Sequence, residues 1–467
     1  MSSLPLPLLI LGVLGWLGLA MRLVPRLRGP LLFLFIAFSI RYLANFFHLY
    51  TTKPVMAGQS INSFLTLGIA AIALYVCRRD LVRYRLTLPV YAFVGTLIIS
   101  GVWNGEIEGL INALIRQFLF IGIILSIVAA LREQGDEHSE VSKPLLAVFA
   151  IPLFYQLISV VFRYAKAAEA DGSTSYIGGY IHEGVFSTVL LAAFLVVTLS
   201  NIAWKWRTFL IIVLFTALVL ANYRTSVVAA VPLALAHFAL AGSGKLNLGM
   251  LAIVRGIALV TIAIVGALLF ALLSERLGDI GVVLSAGSDL FKPPTEFSNE
   301  ERGLMSGRVM IWSDYIFTTI HSDIANVVFG FGPDAWQQSF SLYAHNVYIS
   351  YIYEIGILGS ACFILVVVSF MTLALKAEQS KKWVLFGGHV SYVILCLGTM
   401  PTFTIEGILF YGILCGYTSH YYLVARAAAA QLKRDSRATI RPGRRARPLR
   451  PATARQFRHP AKARTLR

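Results

Sequence analysis

Charge is scarce in this chain: 13% of its 467 residues are Asp, Glu, Lys or Arg, against 57% hydrophobic residues. Soluble domains carry about a quarter charged residues, so this is not an ordinary soluble protein. Cysteine is scarce too. Cys77, Cys362, Cys396 and Cys415 lie in or beside apolar runs, without metal-type spacing or a disulfide framework, and leave the redox compartment open. No Asp-x-Asp, P-loop, zinc-type His/Glu motif or Gly-x-Ser-x-Gly elbow occurs. The usual carboxylate site for a metal-bound sugar nucleotide is therefore missing. A reaction driven by arginine and a base, without cofactor or metal, is preferred to a Mg2+-dependent one.

What is abundant is apolar sequence. Windows of 16–25 residues recur from end to end. That is the signature of a polytopic α-helical membrane protein, not of a barrel's short alternating strands. The windows fall at roughly 4–23, 30–47, 61–77, 87–103, 107–131, 144–163, 184–203, 207–222, 224–241, 250–273, 345–375, 383–400 and 405–425. The expected fold is all-α, with about 12–13 transmembrane helices and one large loop containing short amphipathic helices. The two short windows flanking Asn222-Tyr223-Arg224 are too long together for one crossing and read as a tight hairpin. The first window has no basic segment before it and reads as a retained span, not a cleaved signal.

Loop charge then sets the orientation. Arg22/Arg26/Arg28, Arg78/Arg79/Arg83/Arg85, Arg132/Lys143, Lys205/Arg207, Lys245 and Lys376/Lys381/Lys382 occupy alternate loops, while the intervening short loops carry little. This places the N-terminus and the long 274–344 segment outside, and the C-terminal tail inside. The expected organisation is an N-terminal bundle at 1–163, helices 164–273 with an exterior loop at 164–183, the loop 274–344, C-terminal helices 345–425, and an unstructured tail at 426–467. That tail has 14 Lys/Arg against Asp435 alone and so holds +13 of the net +17. Beside a last span it suits anionic lipid. Interleaved Pro and Arg without an aromatic ladder do not suit nucleic acid.

Charges within spans are the most informative residues, because intramembrane arginine is costly and rarely faces lipid. Arg41 lies in the outer half of the second span, and Arg116 about 13 Å into the fifth. Arg224 tops the ninth span, and Arg308 lies in the exterior segment. A guanidinium fork matches phosphate oxygens, so the four suit a polyanion, most simply a diphosphate. Arg41 and Arg116 could equally bridge to a buried acid such as Glu354. His345 begins an outside-to-inside span, where a helix N-terminus favours the neutral imidazole that a general base needs. A lone interfacial histidine with no chemical role would look the same. Glu354, nine residues on, falls on the opposite face and is better placed to partner an arginine. His182 and Glu183 end the other exterior loop and could touch substrate or simply enter a helix. Ser306 reads as the N-cap of an amphipathic helix to about Thr319, on which Trp312 and Tyr315 offer faces for a sugar or for packing.

Taken together, Arg224-Thr225-Ser226, Ser306-Gly307-Arg308 with Trp312, Gly330-Phe331-Gly332, His345-Asn346-Val347-Tyr348 and Glu354-x-Gly356-x-x-Gly359 resemble the O-antigen ligase/polymerase superfamily of bacterial membrane glycosyltransferases. The resemblance covers roughly residues 175–420 and is specific in 300–360. It implies an inner-membrane enzyme acting at the periplasmic face on undecaprenyl-diphosphate-linked glycans. The transfer is inverting and metal-independent, onto a glycan, a lipid A-core acceptor or a protein hydroxyl side chain, and undecaprenyl diphosphate leaves. Arg224 and Arg308, with Arg116, would hold the diphosphate and His345 would deprotonate the acceptor. His182, Glu183, Trp312 and Asn346 would contact substrate. The His182-Glu183-Gly184 loop inclines the subclass toward a polysaccharide polymerase. A transporter or flippase for an anionic or lipid-linked solute is the competing class. It predicts polar residues on both faces of the bundle, whereas here the candidates gather on the outer side and the inner halves look featureless. A scaffold anchored by its basic tail would leave the His345 and Arg308 block unexplained.

Overall fold

The computed structural model describes residues 4–56, 59–81, 84–134, 139–166, 174–240, 249, 256, 285, 287–290 and 292–439. Within them the long helices are α1 (Leu6–Leu23), α2 (Gly29–Phe46), α3 (Ile61–Val76), α4 (Leu88–Asn104), α5 (Ile107–Glu133), α6 (Ser139–Val161), α7 (Glu183–Leu199), α8 (Trp204–Leu220) and α9 (Arg224–Leu235). They continue with α10 (Arg308–Ile320), α11 (Val347–Leu375), α12 (Lys382–Gly398) and α13 (Ile405–Thr439). Six described helices are long and apolar enough to cross a membrane, and four shorter ones are apolar over 10–17 residues. The protein is an all-α polytopic membrane protein. Every window expected from hydropathy coincides with a helix except 250–273, which lies outside the described residues apart from 256.

Local chemistry accounts for the boundaries. Proline occupies the first turn of α1, α2 and α4, where its missing N–H costs nothing. Between α8 and α9 the chain turns at Asn222, whose φ of 54° is tolerated best by glycine or asparagine, and this closes the expected hairpin. α5 is the central post: it packs on α2, α3, α4 and α13. The contact with α13 is close because Cβ atoms at Gly412 and Gly416 would stand 2.8 Å and 2.6 Å from Ile123 and Ile127. Two small residues four apart let membrane helices approach backbone to backbone. Leu11, Leu14 and Met21 on α1 and Val102 and Trp103 on α4 stay exposed, as lipid-facing residues should.

Two expectations change here. Residues 426–439, read as unstructured tail, prolong α13 to Thr439 and are exposed through Ser436; the remainder of the tail lies outside the described residues. Ser306 is not an N-cap. Met305 (φ 50°), Ser306 (φ 59°) and Gly307 (φ 81°) are left-handed in succession, so Gly307 occupies the cap position and α10 starts at Arg308.

Candidate active site

Three helices of the bundle begin beside one another, α7 at Glu183, α9 at Arg224 and α11 at Val347. His182 caps α7: its Nδ1 accepts the Gly184 N–H at 3.0 Å, and its Nε2 lies 3.8 Å from the Glu183 carboxylate. Its ring meets that of Tyr223 edge-on at 6.2 Å. The Tyr223 hydroxyl donates to the Gly398 carbonyl at 3.1 Å and so ties the start of α9 to the end of α12. Arg224 follows Tyr223 as the first, half-buried residue of α9.

His345 sits two residues before α11 with φ of 53°, a left-handed conformation that costs a non-glycine residue about 1–3 kcal/mol. The flanking contacts hold it there. On one side Ala344 is fully buried, and its carbonyl accepts the Trp312 indole N–H at 2.7 Å. The Tyr315 hydroxyl donates to the Leu342 carbonyl at 3.1 Å, so α10 braces the whole approach to His345. On the other side Asn346 caps α11, its Oδ1 accepting from the N–H groups of Tyr348 (2.9 Å) and Ile349 (3.3 Å). The imidazole lies against Tyr343, ring centroids 3.9 Å apart. Burial, then the charge of Arg308, then His182, push its pKa down to about 4, so it is neutral at pH 7. Arg308 also lowers the Tyr343 phenol against the stronger upward effect of burial. Among the described residues, Arg308 acts on this site through its charge and not through an ion pair.

A cavity of about 240 Å3 lies alongside, lined by His182, Thr188, Trp336, Tyr343 and Thr404, with Val185, Met400 and Phe403 supplying apolar wall. His345, Arg224 and Arg308 are not among its lining residues; Tyr343 connects His345 to it.

The remaining candidates have structural partners. Arg116 pairs with Asp334 at 3.2 Å and lies over the Phe403 ring, so its guanidinium is engaged beside the cavity. Arg41 pairs with Glu406 through Nε at 3.2 Å, where Asn45 and Tyr180 also donate to that carboxylate. Glu183 is buried and holds Lys166 at 2.8 Å and the Ser175 hydroxyl at 3.2 Å, tying both residues to the start of α7. Glu354, expected to partner an arginine, instead accepts the Ser350 hydroxyl (2.6 Å) and the Asp334 N–H (2.8 Å). Trp312 and Asn346, offered as substrate contacts, have the indole N–H and the amide Oδ1 committed to the backbone around His345.

The glycine motifs form a joint. At Gly356 (φ 65°, ψ −171°) the α11 backbone breaks, freeing the carbonyls of Tyr353 and Glu354. The N–H groups of Phe331 and Gly332 bond to them at 2.9 Å and 2.8 Å. Any Cβ at Gly330 would fall 2.3 Å from Glu354 backbone, and one at Gly356 2.3 Å from the Val328 carbonyl. Sequence reading missed this joint, although two glycine motifs 26 residues apart were its visible trace.

Residues 208–364 match a family model described as O-antigen ligase. No curated protein matches the chain. The matched block holds Arg224, Arg308, His345 and the glycine joint, and leaves out Arg41, Arg116, His182 and Glu183. The match and the apolar helices support a membrane protein of polysaccharide biosynthesis with glycan transfer of the O-antigen ligase/polymerase type.

Proposed function

We propose that this chain, whose residues 208–364 carry the O-antigen ligase block, is an inner-membrane glycosyltransferase that moves a glycan from undecaprenyl diphosphate to an acceptor hydroxyl at the periplasmic face. The observation that carries this reading is the His345 assembly. A neutral imidazole is held in a strained conformation against Tyr343 of the cavity wall, under the charge of Arg308. A non-glycine residue in this conformation persists only where its surroundings over-determine it, and such residues cluster at active sites.

In the proposed step the acceptor oxygen attacks the anomeric carbon of the donor sugar from the face opposite the diphosphate. The carbon–oxygen bond to the diphosphate breaks, its electron pair leaves with undecaprenyl diphosphate, and the acceptor proton passes to His345. Arg224 and Arg308 take up the charge developing on the leaving group. The apolar wall formed by Val185, Met400 and Phe403 suits the first units of a polyprenyl chain below a polar head. The low pKa of His345 fits this sequence of events. A bound diphosphate offsets Arg308, so the imidazole becomes a stronger base once substrate is in place.

The test is transfer by purified protein from undecaprenyl-diphosphate-linked glycan. His345→Ala, Arg224→Ala and Arg308→Ala should each abolish product at unchanged membrane abundance. Full activity in the His345 variant would sink the base assignment. Glycans from a deletion strain separate the subclasses: single-repeat products indicate a polymerase, and intact polymer retained on the carrier indicates a ligase.

A further inference from the structure

A second cavity, of about 190 Å3, lies beside α10. Its lining includes Asp314 and Tyr315 of α10 and the Phe340-Ser341-Leu342 segment. Tyr343, the next residue, lines the first cavity, so one stretch of chain forms a wall of both. Its chemistry differs from that of the first. Phe340 lies stacked on Tyr315 with ring centroids 3.9 Å apart, a rigid aromatic surface. Among the described residues no hydrogen bond or ion pair engages the Asp314 carboxylate, and partial burial raises its pKa above the usual range. Beside it the Ser341 side chain is exposed.

An ionised carboxylate only accepts hydrogen bonds and repels phosphate, so this is no second diphosphate site. A carboxylate beside a flat aromatic face suits a ring with several hydroxyl donors and an apolar C–H face, and the volume suits about one such ring. We propose that this cavity is a sugar subsite: it holds one unit of the glycan chain by hydroxyls donated to Asp314 and by packing on Phe340. The proposal rests on the glycan-transfer reading for the identity of the chain. Either the donor's glycan or the acceptor's supplies the same hydroxyl chemistry.

The test uses full-length purified protein with Asp314→Asn, and with Ser341→Ala as a milder second variant. In the transfer assay, with donor and acceptor varied separately, Asp314→Asn should raise one KM about tenfold, the loss expected for a charged hydrogen bond, and leave kcat within about twofold. The substrate whose KM rises identifies which glycan occupies the subsite. A parallel measurement needs no turnover: saturation-transfer NMR of the carrier-free oligosaccharide repeat with the His345→Ala protein, with and without Asp314→Asn. Binding to the His345→Ala protein that depends on Asp314, together with no transfer by the wild-type protein, would support the subsite and refute the transfer reading. Transfer with both KM values unchanged by Asp314→Asn, or oligosaccharide binding indifferent to it, would overturn the subsite and leave the transfer reading standing.

Discussion

His345 combines three properties at one residue: left-handed backbone, neutral imidazole and contact with Tyr343. Asparagine tolerates that φ well, so His345→Asn should fold at wild-type abundance while transfer falls by about 10^2–10^4, the range for losing a general base. A loss of abundance that matches the loss of rate would make His345 structural. The pKa gives a second expectation. Protonation of free His345 at about 4 sets the acid limb of kcat/KM there, because the neutral form prevails above the pKa and is lost as pH falls through it. In the bound complex the diphosphate offsets Arg308 and the pKa rises, so the acid limb of kcat should lie at higher pH than that of kcat/KM. Coincident limbs, measured in parallel pH profiles, would contradict the electrostatic coupling. Trp312→Phe removes the donor to Ala344 and lets His345 drift, which should cost tenfold to 10^2-fold in kcat with KM unchanged. At this scale sequence exposed the arginines by their rarity but could not sort them. Arg41 and Arg116 find acids 365 and 218 positions away, a pairing set by tertiary packing alone.

Among elements, α10 and the joint at Gly356 do the positioning. α10 holds 342–344 by two side-chain donors, and the 330–332 loop fills the break in α11. The Gly356 conformation is one that only glycine adopts without strain, and a Cβ would also meet the Val328 carbonyl. Gly356→Ala should therefore fail to yield monodisperse protein in detergent, or lower its melting temperature clearly. Wild-type behaviour on size exclusion and in a thermal ramp would show that the joint is dispensable. Hydropathy located the helices because lipid demands long apolar runs, and α8 and α9 emerged even from marginal windows. The start of α10 was misread because Ser306 has the right residue type for a cap. Three successive left-handed residues leave no such trace in composition.

For the whole molecule, the polar candidates of the matched block and of the 164–183 loop meet around neighbouring helix starts, although they are spread over more than 160 positions. Polar groups also lie buried in the bundle outside the candidate site, where hydropathy implied featureless apolar helix. His389 bonds to Thr418 at 3.0 Å, and His237 stacks on Trp204, both fully buried. Among the described residues, 426–439 supply no lining of the cavity and no contact to His345. A chain ending at Thr439 should therefore transfer glycan at the wild-type rate and lose only affinity for anionic vesicles. A fall in rate would tie the tail to catalysis. In the proposed reaction one histidine and two arginines carry glycan transfer without a metal. The most direct measurement is initial-rate transfer from undecaprenyl-diphosphate glycan by the purified wild-type protein with EDTA, beside His345→Asn under the same conditions. We expect an undiminished wild-type rate in EDTA and a rate lower by about 10^2–10^4 for the variant. Loss of the wild-type rate on chelation, or transfer by His345→Asn near the wild-type rate, would contradict the proposed reaction.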